Sequence, residues 1–111
     1  FEYFLNKWID NKIIVKRVVP WTDFRKNVNR GLKKILINTK KSEKIGVFTS
    51  GGTISSITGY CLKIKDEKRI ASLNFSIRNT SFSTFLYSKK QFNLLSFNEL
   101  PHLKKDMVTF V

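Results

Sequence analysis

The sequence has one cysteine, one histidine, two prolines and only 8 acidic residues against 21 lysines and arginines. With Cys61 alone, no disulfide can close within the chain and no cysteine-based metal cluster is available, so a reducing compartment, the cytoplasm, is expected. Long apolar runs are missing too. The most apolar stretches are interrupted by Lys, Asp or Asn within a few residues, well short of the roughly 20 apolar residues that cross a bilayer, so no membrane partner is expected. A cleavable signal pattern is absent at Phe1. Because the chain begins there and not at Met, upstream sequence is expected to have been processed, trimmed or left uncaptured, with any leader it carried.

What is present is a globular composition. With 41% hydrophobic and 14% aromatic residues, the 111-residue chain suits one small unit, or part of a larger one, and not a disordered tail or two domains. The net charge of +13 and pI near 10.1 leave two readings open. A basic face could attract a polyanion such as nucleic acid or anionic lipid. Against that, the lysines are scattered from Lys7 to Lys105 among many Asn, Ile and Phe, with no basic run longer than two residues, as codon bias in an AT-rich genome produces.

Residues 1–20 form a poorly defined lead-in. Phe1 to Ile9 could be a short amphipathic helix, and Lys12 to Val19 reads as extended, alternating apolar and basic. After Pro20, Thr22 and Asp23 offer a cap and a negative first turn for a helix. On it Trp21, Phe24, Val28, Leu32, Ile35 and Leu36 form one apolar stripe, with Arg25, Lys26, Asn29, Arg30, Lys33 and Lys34 facing elsewhere. A polar break at Lys40 to Lys44 precedes the short apolar run Ile45 to Thr49, as expected of a parallel strand covered on both faces. Thr53 to Leu62 reads as a helix with Ile54, Ile57 and Cys61 on one face, and Asp66 to Leu73 as a second short one. Asn79 and Thr80 turn the chain into an antiparallel hairpin, Ser81 to Tyr87 and Gln91 to Phe97, joined through Ser88-Lys89-Lys90. The tail from Asn98 to Val111 reads as irregular.

The feature richest in chemistry is Val47-Phe48-Thr49-Ser50-Gly51-Gly52-Thr53-Ile54. It delivers a hydroxyl and two glycines from a strand end to a helix start. Glycines let a backbone approach an anion, and the first-turn N–H groups carry partial positive charge. Ligands also favour the C-terminal ends of strands in open α/β sheets. A phosphate-sized anion site at Ser50, Gly51, Gly52 and Thr53 follows, although Ser-Gly-Gly equally suits any tight strand-to-helix turn.

Trp21-x-x-Phe24 on a helix, the Val47-to-Gly52 turn, Asn79-Thr80-Ser81 and a hairpin ending Phe97-Asn98-Glu99-Leu100-Pro101-His102-Leu103 occur in that order. From Trp21 to Val111 the chain thereby resembles the C-terminal half of the phosphoglycerate-mutase-like histidine phosphatase superfamily. The resemblance implies an α/β fold, namely the C-terminal part of a three-layer α/β/α domain over residues 1–111. A parallel strand, flanking helices and an antiparallel edge hairpin belong to that part. It further implies a phosphomonoesterase acting through a phosphohistidine on a phosphorylated small molecule or phosphoprotein, with no metal or organic cofactor.

Two departures stand out. The family's Arg-His-Gly, whose histidine takes the phosphoryl group, occurs nowhere in residues 1–111, so this fragment alone is not expected to be an enzyme. Nor does any carboxylate match the family's acid, and Glu2 and Asp10 are not assigned to it. Ser50, moreover, stands where most members have a second catalytic histidine, which would bring charge as well as hydrogen bonds to the phosphoryl group. One branch of the superfamily carries Thr-Ser-Gly-Gly before an Ile-Ser-like helix start, similar to Thr49 to Ser55.

Other candidates have plainer readings. His102 follows Pro101 beyond the sheet edge and is expected to hold the tail. Arg78 could reach an anion bidentately, but an arginine at a turn is usually solvated. Phe82, Phe85 and Tyr87 could stack bases, yet suit the buried face of an edge hairpin. Cys61 is expected to be ordinary packing. Beside the phosphatase reading stand a non-catalytic phosphate-binding relative and a basic nucleic-acid-binding module, nucleic acid being the partner the sequence favours less. The sequence does not specify an oligomeric state.

Overall fold

The computed structural model of the chain describes residues 19–88 and 91–107. The expected helix over Phe1 to Ile9, most of the extended segment from Lys12, Lys89 and Lys90 of the hairpin turn, and residues 108–111 lie outside them.

Helix α1 spans Trp21–Asn38. Its cap is Pro20, not Thr22: the Phe24 N–H donates to the Pro20 carbonyl at 2.9 Å, and no side chain caps the helix. Proline has no N–H to lose and a φ already suited to a helix start, so the ladder can begin one residue after it. Asp23 remains in the first turn, at the positive end of the helix dipole. Trp21 and Leu32 are buried and Phe24, Val28, Ile35 and Leu36 half-buried, as the apolar stripe requires. Arg25 and Asn29 depart from the expectation, since both are half-buried as well. The C-terminus is closed locally by the Thr39 hydroxyl donating to the Ile35 carbonyl at 2.6 Å and the Asn38 amide donating to Lys34 at 3.0 Å.

Helix α2 spans Gly51–Cys61 and starts at the first glycine, two residues before Thr53. Its buried side is Gly51, Ser55, Ser56, Thr58 and Gly59, while Ile54, Ile57 and Cys61 are only half-buried. Small residues win because of what lies opposite. A Cβ on Gly59 would stand 2.7 Å from Cγ1 of Ile70, itself fully buried. Two of the buried hydroxyls are satisfied within the helix: Ser55 donates to the Gly51 carbonyl and Thr58 to the Ile54 carbonyl, each at 2.8 Å. The helix ends in a Schellman motif. The Ile64 N–H reaches the Gly59 carbonyl at 3.0 Å and the Lys63 N–H reaches Tyr60 at 3.2 Å, with Lys63 left-handed at φ 55.

Helix α3, Glu67–Leu73, is capped by Asp66, whose carboxylate accepts from the Lys68 N–H at 3.1 Å. Ile70 and Ala71 join Trp21 in the core, with Phe24 and Ile64 packed on it. A 3-10 turn, Asn74–Ser76, leads through buried Ile77 into strands β1, Phe82–Ser88, and β2, Gln91–Glu99. These pair antiparallel, Ser88 with Gln91, Tyr87 with Phe92 and Phe85 with Leu94; Thr84 then meets Ser96, so Leu95 bulges out. Phe85 and Phe92 stack at 5.0 Å. The hairpin seats on α2, where the Cys61 thiol donates to the Phe92 carbonyl at 3.2 Å.

The fold is thus mixed helix and strand, compatible with an α/β class. The expected strand from Ile45 to Thr49 does not form: among the described residues the sheet has two strands, β1 and β2, and neither pairs with this segment. A strand needs a neighbour to take its backbone hydrogen bonds, and here Ile45, Val47 and Phe48 are all exposed, Phe48 at 99%.

Candidate functional site

The turn that the sequence singles out sits at the start of α2. Ser50 is the N-cap residue in extended conformation, and its carbonyl accepts the Ile54 N–H at 3.1 Å, the first bond of the helix. The N–H groups of Gly51, Gly52 and Thr53 therefore have no acceptor within the helix ladder. Ser50 does not cap them. Its hydroxyl lies 3.3 Å from the Thr53 hydroxyl, so the two oxygens share a hydrogen bond at the mouth of the turn. Ser50 is exposed, Gly52 and Thr53 half-buried and Gly51 buried. A helix start with unengaged N–H groups, two glycines and two hydroxyls can hold a small oxyanion by backbone and hydroxyl donors together. All four residues singled out there are brought together.

Below the turn lies a group that the sequence reading placed on the solvent side. The Arg25 guanidinium reaches from α1 into the helix trio, and its Nη1 donates to both the carbonyl and the hydroxyl of Ser56, at 2.8 and 2.7 Å. Its Nε donates to Glu67 on α3 at 3.3 Å, completing an ion pair in which the arginine side chain is only 13% exposed. One residue earlier, Phe24 faces the turn: a methyl built on Gly52 would meet its ring at 3.6 Å. The signal was Arg25's place beside the apolar stripe, one position from Phe24, but the expectation that it faces away from the stripe masks it.

The other candidates gather elsewhere. Arg78 is committed to Asn98: its N–H donates to the Asn98 side-chain oxygen at 2.8 Å and its Nη2 to the Asn98 carbonyl. The Asn98 side-chain nitrogen donates to the Ser76 carbonyl, and its backbone N–H to the Ser83 hydroxyl at 3.0 Å. Asn98 and Thr80 both lie in the left-handed region, at φ 60 and 61. His102 closes the same corner, 3.1 Å from the Thr80 hydroxyl and edge-on to Phe82 at 5.0 Å. Its contacts tie the tail to the strand. Burial pushes the Cys61 thiol above its ordinary pKa, as befits a neutral packing group. No helix among the described residues is long and apolar enough to cross a membrane.

Compared with known families, residues 2–100 match the profile of the histidine phosphatase superfamily (branch 1). The chain belongs to the histidine phosphatase superfamily. No curated protein and no solved structure matches it. Members of the superfamily act on phosphorylated substrates. The match extends through the 78–81 corner and β2 as well as the turn.

Proposed function

We propose that this chain is the C-terminal portion of a histidine-phosphatase-type phosphomonoesterase and supplies one wall of its phosphate pocket. The observation that carries the reading is the superfamily match over residues 2–100 with Ser50-Gly51-Gly52 at the bare N-terminus of α2. In the mechanism, a histidine from an upstream Arg-His-Gly attacks phosphorus in line, the ester oxygen leaves, and water hydrolyses the phosphohistidine. Ser50 and the N–H groups of Gly51 to Thr53 hold the phosphoryl oxygens through this exchange. The residues present need no metal for that role.

The exposed run Ile45 to Thr49 supports a larger sheet. In a three-layer α/β/α domain this run is a parallel strand, and an apolar segment with Val47 and Phe48 in solvent is what such a strand becomes without neighbours. The compartment proposed is the cytoplasm, where Cys61 stays reduced. A second reading rests on Ser50 itself: a hydroxyl gives a neutral hydrogen bond where the histidine would give a charged one, which suits a relative that binds phosphate esters without turnover.

Hydrolysis of a generic aryl phosphate by the full-length protein decides between them. Under the enzyme reading, turnover is lost when the upstream histidine is replaced, and Ser50→Ala lowers it about a hundredfold, as for removal of one oxyanion donor. Oxyanion binding without turnover supports the second reading. An upstream sequence lacking Arg-His-Gly overturns the catalytic one.

A further inference from the structure

The turn at Ser50 has little to hold it from the outside. Residues 40–50 leading to it are all exposed, and the Ser50 hydroxyl makes no cap. Its position among the described residues is therefore set by how α2 is seated. Two consecutive residues of α1 grip that seat at two successive turns. Phe24 lies against Gly52, and Arg25 binds Ser56 through both its carbonyl and its hydroxyl. Gly52 and Ser56 are four apart, so both contacts fall on one helix face and together resist roll of the helix about its axis.

Resting on the phosphate-pocket reading above, we infer that Arg25 is a positioning residue for the phosphate turn. By locking α2 against α1 and, through Glu67, against α3, it fixes where the N–H groups of Gly51, Gly52 and Thr53 point. An arginine is needed because its fork serves two directions at once, Nη1 toward Ser56 and Nε toward Glu67. A lysine offers its three N–H donors from a single nitrogen and has no rigid fork to span the two directions. Ser56 is fully buried, so its hydroxyl has no water to turn to when the guanidinium is withdrawn, and its carbonyl is left with the helix-ladder bond from the Tyr60 N–H alone. The helix must then shift, and the turn shifts with it.

The test is a titration of the 111-residue chain with inorganic phosphate and with tungstate, followed at the amides of Gly51, Gly52 and Thr53 by NMR. Each variant is read well below its own melting temperature. Arg25→Met is expected to weaken oxyanion binding about tenfold, in keeping with the steep cost of a misplaced binding group. Arg25→Lys recovers part of the loss and stands alone if Arg25→Met does not fold. Arg30→Met removes an equal charge from an exposed position on the same helix and is expected to leave affinity unchanged. A wild-type chain that takes up no oxyanion overturns the phosphate-pocket reading and this inference together. Wild-type binding with equal affinity in the Arg25 variants, or an equal loss in Arg30→Met, overturns the inference alone.

Discussion

The helix trio and the segment that feeds it are built from opposite materials and behave in opposite ways. On α2 the buried face is serine, threonine and glycine, each hydroxyl bonded to a carbonyl or to Arg25, and it packs so closely on α3 that no Cβ fits at Gly59. In the segment from Ile45 to Phe48 the residues are apolar, and they lie in solvent. Apolar character does not bury a residue unless a partner surface is present, and polar character does not exclude one whose hydrogen bonds are met locally. The proposed phosphate turn lies where the two regions join.

The sharpest way to break the tight side is Gly59→Ala. The added carbon would overlap Ile70 Cγ1 and Cδ1, at 2.7 and 2.9 Å, and Ile70 is fully buried, with no solvent side to swing into. Overpacking of this kind costs about 1–3 kcal/mol, so the denaturant midpoint falls measurably. At Gly52 the same substitution meets Phe24 at an ordinary 3.6 Å, and a change below about 0.5 kcal/mol is expected. Equal losses at the two sites would mean that the α2–α3 contact is not the tight one.

A smaller effect of opposite sign is expected at Lys63, where α2 ends. This residue holds the left-handed position of the Schellman motif, which glycine adopts without a Cβ clash. Lys63→Gly should stabilise the chain by about 0.5–1 kcal/mol in equilibrium unfolding, the clash relieved being partly offset by a more flexible unfolded chain. No gain would show that the motif is held by Ile64 packing, whatever stands at position 63.

Much of this architecture could be read from residue pattern. The stripe from Trp21 to Leu36 marks α1 because its spacing is that of a helix face, the short helix expected over Asp66 to Leu73 forms as Glu67–Leu73, and the hairpin pairs as its β-formers suggest. The turn from Ser50 to Thr53 was legible from its glycines. Arg25 was not, since a charge beside an apolar stripe signals solvent until its partners, 31 and 42 residues away, are known. The burial of Ser55, Ser56 and Thr58 was hidden likewise, because local hydroxyl bonds leave no mark in hydropathy. The strand at Ile45 to Thr49 was read from apolar content alone, and content cannot supply the neighbour that a strand requires.

The smallest expected effect tests the loose side. Phe48 is 99% exposed, so Phe48→Ser in the 111-residue chain removes no packed surface and should change unfolding stability by less than about 0.5 kcal/mol. It should raise solubility, because the exposed run Ile45 to Phe48 loses its largest apolar group. In a domain where this segment is a covered strand, the same substitution opens a cavity and buries a hydroxyl, at a cost of about 3–5 kcal/mol by the scale of aromatic truncations. Under the larger-domain proposal, measuring it both in the chain and in the full-length protein separates the two states expected of the segment. A large loss in the longer protein alone is what the three-layer reading requires, because the segment that delivers Ser50 is then held by neighbouring strands, in addition to the seat that Arg25 gives α2. No loss in either would leave the turn resting on the helix seat alone, and the larger sheet would have to be abandoned.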